Sequence, residues 1–178
     1  PDSKSFVYDS TNPTPAIGGA NFHPQNNGGM VQNEFEKERG TRKSHGQRDV
    51  IIFSSDIATQ ERLYIGNVYA HLVVKSELSH FDIVCRLCLV DEPTDDFEKG
   101  ESRNLCDGLS RFGKYVAGGK DDNVFATPEK ILPNGDMLVK IKLAGCCFRV
   151  LPGQKLRLHV CGGAYPRLIV FFCFGVMV

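Results

Sequence analysis

Between residues 49 and 163 the chain repeats one pattern: short runs in which apolar and polar positions alternate, divided by clusters of turn formers. IGNVYAHLVVKS sets Val68, Ala70, Leu72 and Val74 on one face and Tyr69, His71, Val73 and Lys75 on the other. FDIVCRLCLVD sets Ile83, Cys85, Leu87 and Leu89 on one side. DMLVKIKLAG points Met137, Val139, Ile141 and Leu143 inward and Lys140 and Lys142 outward. KLRLHVCGG points Leu156, Leu158 and Val160 inward and Lys155, Arg157 and His159 outward. DVIIFSSD adds a short β-branched apolar run. Successive side chains of a strand leave opposite faces, so these runs predict strands with one face on a core. DEPTDDFEKGES, AGGKDDN, PNGD and LPGQ separate them as turns. No 3.6-residue periodicity is sustained and no internal repeat is present. Strands divided by turns predict an antiparallel sandwich or barrel, and a parallel α/β sheet would need crossover helices.

The first fifty residues behave differently. YDSTNPTPAIGG carries Pro13, Pro15 and Gly18-Gly19 and reads as an extended arm ending in a turn. HPQNNGGMVQNEFEKERGTRKSHGQR is polar and rich in turn formers, a long loop with room for a short helix around Glu34 to Arg39. At 178 residues the chain makes one domain. The expected division is residues 1–48 as arm and loop packed on a β-sandwich of residues 49–178.

Charge narrows the function classes. Lys+Arg and Asp+Glu both total 21, so the formal net charge is zero. A nucleic-acid binder needs excess cations, so none is expected as a partner. LIVFFCFGVMV, Leu168 to Val178, is the longest apolar run at eleven residues. A membrane helix takes about 20, so no span is expected and the tail reads as a buried end, or as an aggregation hazard when exposed. No signal peptide is visible. The seven cysteines are an odd number in strand-like segments. Reduced thiols in a cytoplasmic protein are the simpler account, with a secreted, partly paired form as the other.

Candidate chemistry is thin. GESRNLCDGLSR, Gly100 to Arg111, twice begins a nucleophile elbow, at Ser102 and at Ser110. Neither completes Gly-x-Ser-x-Gly and no amphipathic helix follows, so the stretch reads as a polar turn between strands. Cys85 and Cys88 have CxxC spacing, but on a strand positions i and i+3 face opposite ways. Adjacent Cys146 and Cys147 diverge likewise, and Cys85 is expected as a small core residue. Asp82, Asp95, Asp96, Asp121 and Asp122 offer oxygens for calcium, without an EF-hand pattern. His71 and His159 read as surface or interface histidines rather than ligands. The double glycines match turns, not a phosphate loop. No catalytic residue, cofactor or metal ligand is assigned.

Six segments in order carry a family resemblance: TPAIGGANF (Thr14 to Phe22), GQRDVIIFSSD (Gly46 to Asp56), GNVYAHLVVKS (Gly66 to Ser76), FDIVCRLCLVD (Phe81 to Asp91), GESRNLCDGLSR, and FRVLPGQKLRLHVCGGAYPR (Phe148 to Arg167). From about Tyr8 to Arg167 the chain resembles the C-terminal non-catalytic domain of X-Pro dipeptidyl-peptidases and of the related cocaine esterase and glutaryl-acylase serine hydrolases. Gly100, Ser102, Leu105, Gly108 and Arg111 match that family's Gly-x-Ser-x-x-Leu-x-x-Gly-x-x-Arg segment. Gln154 stands where the family often has histidine, and after Arg167 the apolar tail departs from the family's polar continuation.

The resemblance implies an all-β jelly-roll sandwich, similar to galactose-binding folds, with an irregular N-terminal arm. It implies an accessory domain that covers an α/β-hydrolase catalytic domain and helps wall its substrate cleft. Serine, histidine and aspartate would come from that absent domain, leaving Ser102 and Ser110 as bystanders. Two other readings stay open: a stand-alone module binding sugar or another small ligand, and a partner that dimerises through its tail.

Overall fold

The computed structural model describes residues 4–17, 31–41, 49–76, 78, 80–94, 98, 100–113, 126–166 and 176–177. In chain order the elements are β1 (Ser5–Phe6), α1 (Asn33–Thr41), β2 (Val50–Ser54), β3 (Arg62–Gly66), β4 (Tyr69–Ser76) and β5 (His80–Val90). Then come β6 (Ser102–Gly113), β7 (Lys130–Ile131), β8 (Met137–Lys142), β9 (Cys146–Val150), β10 (Lys155–Cys161) and β11 (Val176–Met177). One sheet has five strands in the order β1-β11-β4-β8-β7, a second has four in the order β2-β10-β5-β6, and β3 with β9 forms a two-stranded ribbon. The named strands pair antiparallel throughout. The expected all-β sandwich is the observed architecture.

The alternating runs build its interior. Ala70, Leu72 and Val74 of β4 and Val139 and Ile141 of β8 join Ile83 and Cys85 of β5, Val160 of β10 and Ile51 of β2 in one core. Phe81 and Phe112 stack inside it with ring centroids 5.4 Å apart. Each fully buried aliphatic or aromatic side chain contributes about 1.5–3 kcal/mol. Phe6 and Tyr8 reach the same core from the N-terminal segment.

A second cluster lies on the other side of the four-stranded sheet, where Val50, Val84 and Cys161 meet Ala16 and Phe35. That sheet is therefore buried on both faces. This corrects the expectation that Arg157 and His159 face outward to solvent: they leave the core side as predicted, but α1 lies over them. His159 is 1 % exposed.

Residues 100–111 are corrected too. They are not a surface turn: β6 takes up Ser102–Gly113, twelve residues paired to β5 with a register shift between Leu87 and Cys88. The helix expected around Glu34 to Arg39 is present as α1. In the apolar tail, Val176–Met177 insert as β11 between β1 and β4, so a segment near each end of the chain joins one sheet. Among the described residues no helix is long and apolar enough to cross a membrane.

Candidate functional site

The segment before α1 is tied to β6 as though it were a further strand. Val31 bridges Arg103. The Gln32 amide donates to the Ser102 carbonyl at 2.7 Å. The Asn33 side chain accepts from the Ser102 amide at 2.8 Å and donates to the Gly100 carbonyl at 2.8 Å. One short amide thus satisfies two backbone groups at the start of β6, and the chain then turns into helix. The far end is held by Arg39, which donates to Asp49 at 2.9 Å and to the Asn12 carbonyl at 3.2 Å.

Docked this way, α1 lowers Glu36 onto the sheet. His159 Nε2 lies 2.8 Å from Glu36 Oε1, and the Arg157 guanidinium grips Oε2. Cys88 Sγ lies 4.0 Å from His159 Nδ1. Arg86 donates to Gln32 Oε1 at 2.7 Å, and its guanidinium lies 5.5 Å from the Phe35 ring centroid. The Phe35 ring stands 5.6 Å from that of His159. The Ser102 hydroxyl is buried beside Glu36 and Cys88, outside close hydrogen-bond geometry.

These contacts fix the protons. Burial pushes the Glu36 carboxyl up, but the His159 hydrogen bond, the nearby Ser102 hydroxyl and the Arg157 charge outweigh it and hold the group ionised below its usual range. A carboxylate only accepts, so Nε2 of His159 carries hydrogen. Burial lowers the imidazole's affinity for a second proton, so Nδ1 is bare and accepts from the Cys88 thiol. Burial in turn pushes that thiol up to about 12. The result is a neutral chain of donors, thiol to imidazole to carboxylate, closed by a guanidinium.

A cysteine or serine, an imidazole and a carboxylate do meet here, the combination of a nucleophilic triad. Cys88 and Ser102 are 0 % exposed, however, and no substrate carbonyl reaches them without lifting α1. The thiol is held protonated, the opposite of an activated nucleophile. Glu36, Cys88 and His159 also offer three metal-type donors within 4.8 Å of one another. Both Glu36 oxygens are already engaged, and Arg157 and Arg86 place positive charge where a divalent cation would sit. The arrangement favours structure over ligation.

The motif positions have structural reasons. Gly100 has φ +80°, and a Cβ there would lie 2.0 Å from the Asp91 carbonyl oxygen. Gly108 faces the end of β8, where a Cβ would lie 2.1 Å from the Lys142 carbonyl oxygen. Arg111 clasps Asp82 with both arms, at 2.7 and 2.8 Å, so that carboxylate is engaged by a guanidinium. Ser110 is half-buried opposite Ile83. Cys85 and Cys88 fall on opposite faces as expected, Cys85 in the core. Cys146 is half-buried and Cys147 exposed. His71 is exposed, 3.5 Å from Glu129. Asp95, Asp96, Asp121 and Asp122 lie outside the described residues. Glu36 and Arg157 are the residues that sequence reasoning missed. The available signal was Arg86, a cation amid the apolar residues of β5, which a strand accepts only with partners on that face.

Other parts of the surface are open. Every residue of β3 is exposed, with Leu63 at 63 % and Ile65 at 75 %. Tyr64 stacks on Phe148 of β9 at 5.1 Å. Tyr69 and Val73 of β4 are also exposed.

No protein-family model matches the chain. It is 26 % identical over 164 residues to the cocaine esterase of Rhodococcus sp., an alignment covering 92 % of this chain and 25 % of the esterase. In structure it matches an aminopeptidase from a marine-sediment Thaumarchaeota archaeon with TM-score 0.65, at 16 % identity, covering 99 % of this chain and 30 % of that one. It matches an α-amino acid ester hydrolase equally, with TM-score 0.65, 15 % identity and coverage of 99 % and 30 %. At these identities the structural matches establish the fold. The chain spans about a quarter to a third of the length of these relatives. The sandwich, the near-complete coverage of this chain and the fractional coverage of each relative fit one description: a C-terminal domain of the cocaine esterase family.

Proposed function

We propose that this chain is the accessory domain of a serine hydrolase that cleaves acyl bonds, ester or peptide, and that it has no hydrolytic chemistry of its own. The carrying observation is the alignment over 92 % of this chain and only 25 % of the esterase. The relatives' names, an esterase, an amino acid ester hydrolase and an aminopeptidase, share attack on a carbonyl carbon. In this reading a Ser-His-Asp set in the larger domain performs that attack. Residues 1–48 and the sandwich act as one unit that covers the catalytic domain and walls its cleft. The setting is cytoplasmic, with thiols reduced. The exposed β3–β9 ribbon supplies apolar area for docking, at about 25 cal/mol per Å² removed from water.

Activated esters and X-Pro chromogenic dipeptides test the first half. The isolated chain is expected to give no turnover above background, and turnover abolished by Ser102→Ala or Ser110→Ala would overturn the proposal. Co-purification with an α/β-hydrolase segment supports the second half. Glycan-array binding by the isolated chain, with no association to such a segment, favours the ligand-binding module instead.

A further inference from the structure

Two thiols outside the layer beneath α1 face each other where the ribbon meets the sandwich. Cys106, buried on β6, and Cys146, half-buried at the start of β9, have their sulfurs 3.6 Å apart. Their approach is fixed by the backbone between them. The Ala144 amide donates to the Asp107 carbonyl at 3.0 Å and the Leu143 amide to the Val68 carbonyl at 2.9 Å. We propose that Cys106 and Cys146 are a redox-responsive pair that closes to a disulfide under hydroperoxide oxidants and locks the β3–β9 ribbon to β6.

A disulfide has its sulfurs about 2 Å apart, so the pair closes by about 1.5 Å through side-chain rotation. Burial and the neighbouring thiol hold Cys106 protonated, so the reaction starts at the more accessible sulfur. The Cys146 thiolate attacks one peroxide oxygen, breaks the O–O bond and becomes a sulfenic acid, and the departing hydroxide takes up the thiol proton as water. Cys106 sulfur then attacks the sulfenic sulfur, expels its hydroxyl with a proton as a second water, and forms the S–S bond. Two thiols and one hydrogen peroxide give one disulfide and two waters. Each sulfur gives up one electron to the peroxide oxygens.

The test is titration of the whole folded chain with hydrogen peroxide, followed by peptide mapping without reductant. The expected product is one crosslink joining the peptides of residues 106 and 146, with loss of two hydrogens and reversal by dithiothreitol. Cys147→Ser is expected to keep this crosslink and Cys146→Ser, a half-buried change, to abolish it. Oxidation is expected to raise the melting temperature by about 5–10 °C, and Cys146→Ser to lose that shift. A crosslink through Cys147, or overoxidation of Cys146 with Cys106 left reduced, would overturn the proposal.

Discussion

The two sheets of the sandwich share one core and differ in what lies behind them. Behind the four-stranded sheet, α1 and the N-terminal segment cover a layer of charged and polar groups: Glu36, Arg86, Arg157 and the neutral His159. Behind the five-stranded sheet, Tyr69, His71 and Val73 meet solvent, and Lys140 lies 4.4 Å over the Tyr69 ring. The same alternating pattern thus serves two ends. Where the outward positions carry groups that a helix can neutralise, the face closes. Where they carry ordinary surface residues with aromatic and branched ones among them, the face stays available to something larger.

The sharpest break of this contrast is Glu36→Ala. It removes the one carboxylate that serves both Arg157 and His159 and leaves a guanidinium uncompensated under the helix. Stability should fall by about 3–5 kcal/mol in urea unfolding. A loss below about 1 kcal/mol would mean that water already reaches this layer. Next comes Gly108→Ala, at the junction of β6 with the end of β8. Its Cβ would meet backbone at 2.1 Å, so strands must shift, at a cost of about 3 kcal/mol. Gly135→Ala makes the control on the open side. There φ is +86° with nothing within 4 Å, and the cost is about 1 kcal/mol, from the backbone alone.

That same contrast explains what the sequence disclosed. Strands β4 and β8 alternate cleanly because one face is wet, and Val74, Val139 and Ile141 were legible as core. The faces of β10 were assigned correctly while the burial of His159 was not. Period two reports which side a residue leaves, and nothing in β10 reports that a helix some 120 residues earlier lies on that side. Strand β6 was hidden for a related reason. Its polar side chains are covered or partnered from elsewhere, Ser102 beneath α1 and Arg111 by Asp82, so it reads as a turn. The ribbon strand β3 leaves no apolar face on the core, and its pattern gave no warning. The layer beneath α1 was legible only as scattered residues, because its geometry depends on one helix arriving from a polar loop.

Acid tests the covered layer more gently than mutation. Burial makes the folded His159 take its proton at lower pH than a free imidazole, while the unfolded histidine takes it near 6.5. The unfolded state therefore binds more protons first, and stability falls as pH drops below 6.5 toward the folded value. Glu36 adds a second loss. Its folded pKa lies below 4.5, so its contribution is complete above 4.5 and disappears as pH falls through the folded value. Unfolding midpoints followed from pH 7 down to about pH 2 should decline in these two stages. His159→Gln should remove the upper stage and keep the lower, and a variant that keeps both would move the titrating group away from this layer.

The smallest expected effect carries the functional half of the comparison. Ile65 is 75 % exposed, so Ile65→Ser gives up little buried area and should change the stability of the isolated chain by no more than about 0.5 kcal/mol. If the ribbon docks a catalytic domain, that side chain is buried in the longer protein. Burying it there contributes about 1.5–3 kcal/mol, and the same substitution should weaken association or lower the melting temperature of the whole hydrolase. Calorimetry of both proteins separates the cases. Equal, negligible shifts would leave the ribbon as plain surface and move docking to the open face around Tyr69 and Val73. A shift only in the longer protein would identify the apolar ribbon as a part of this fold built for its neighbour.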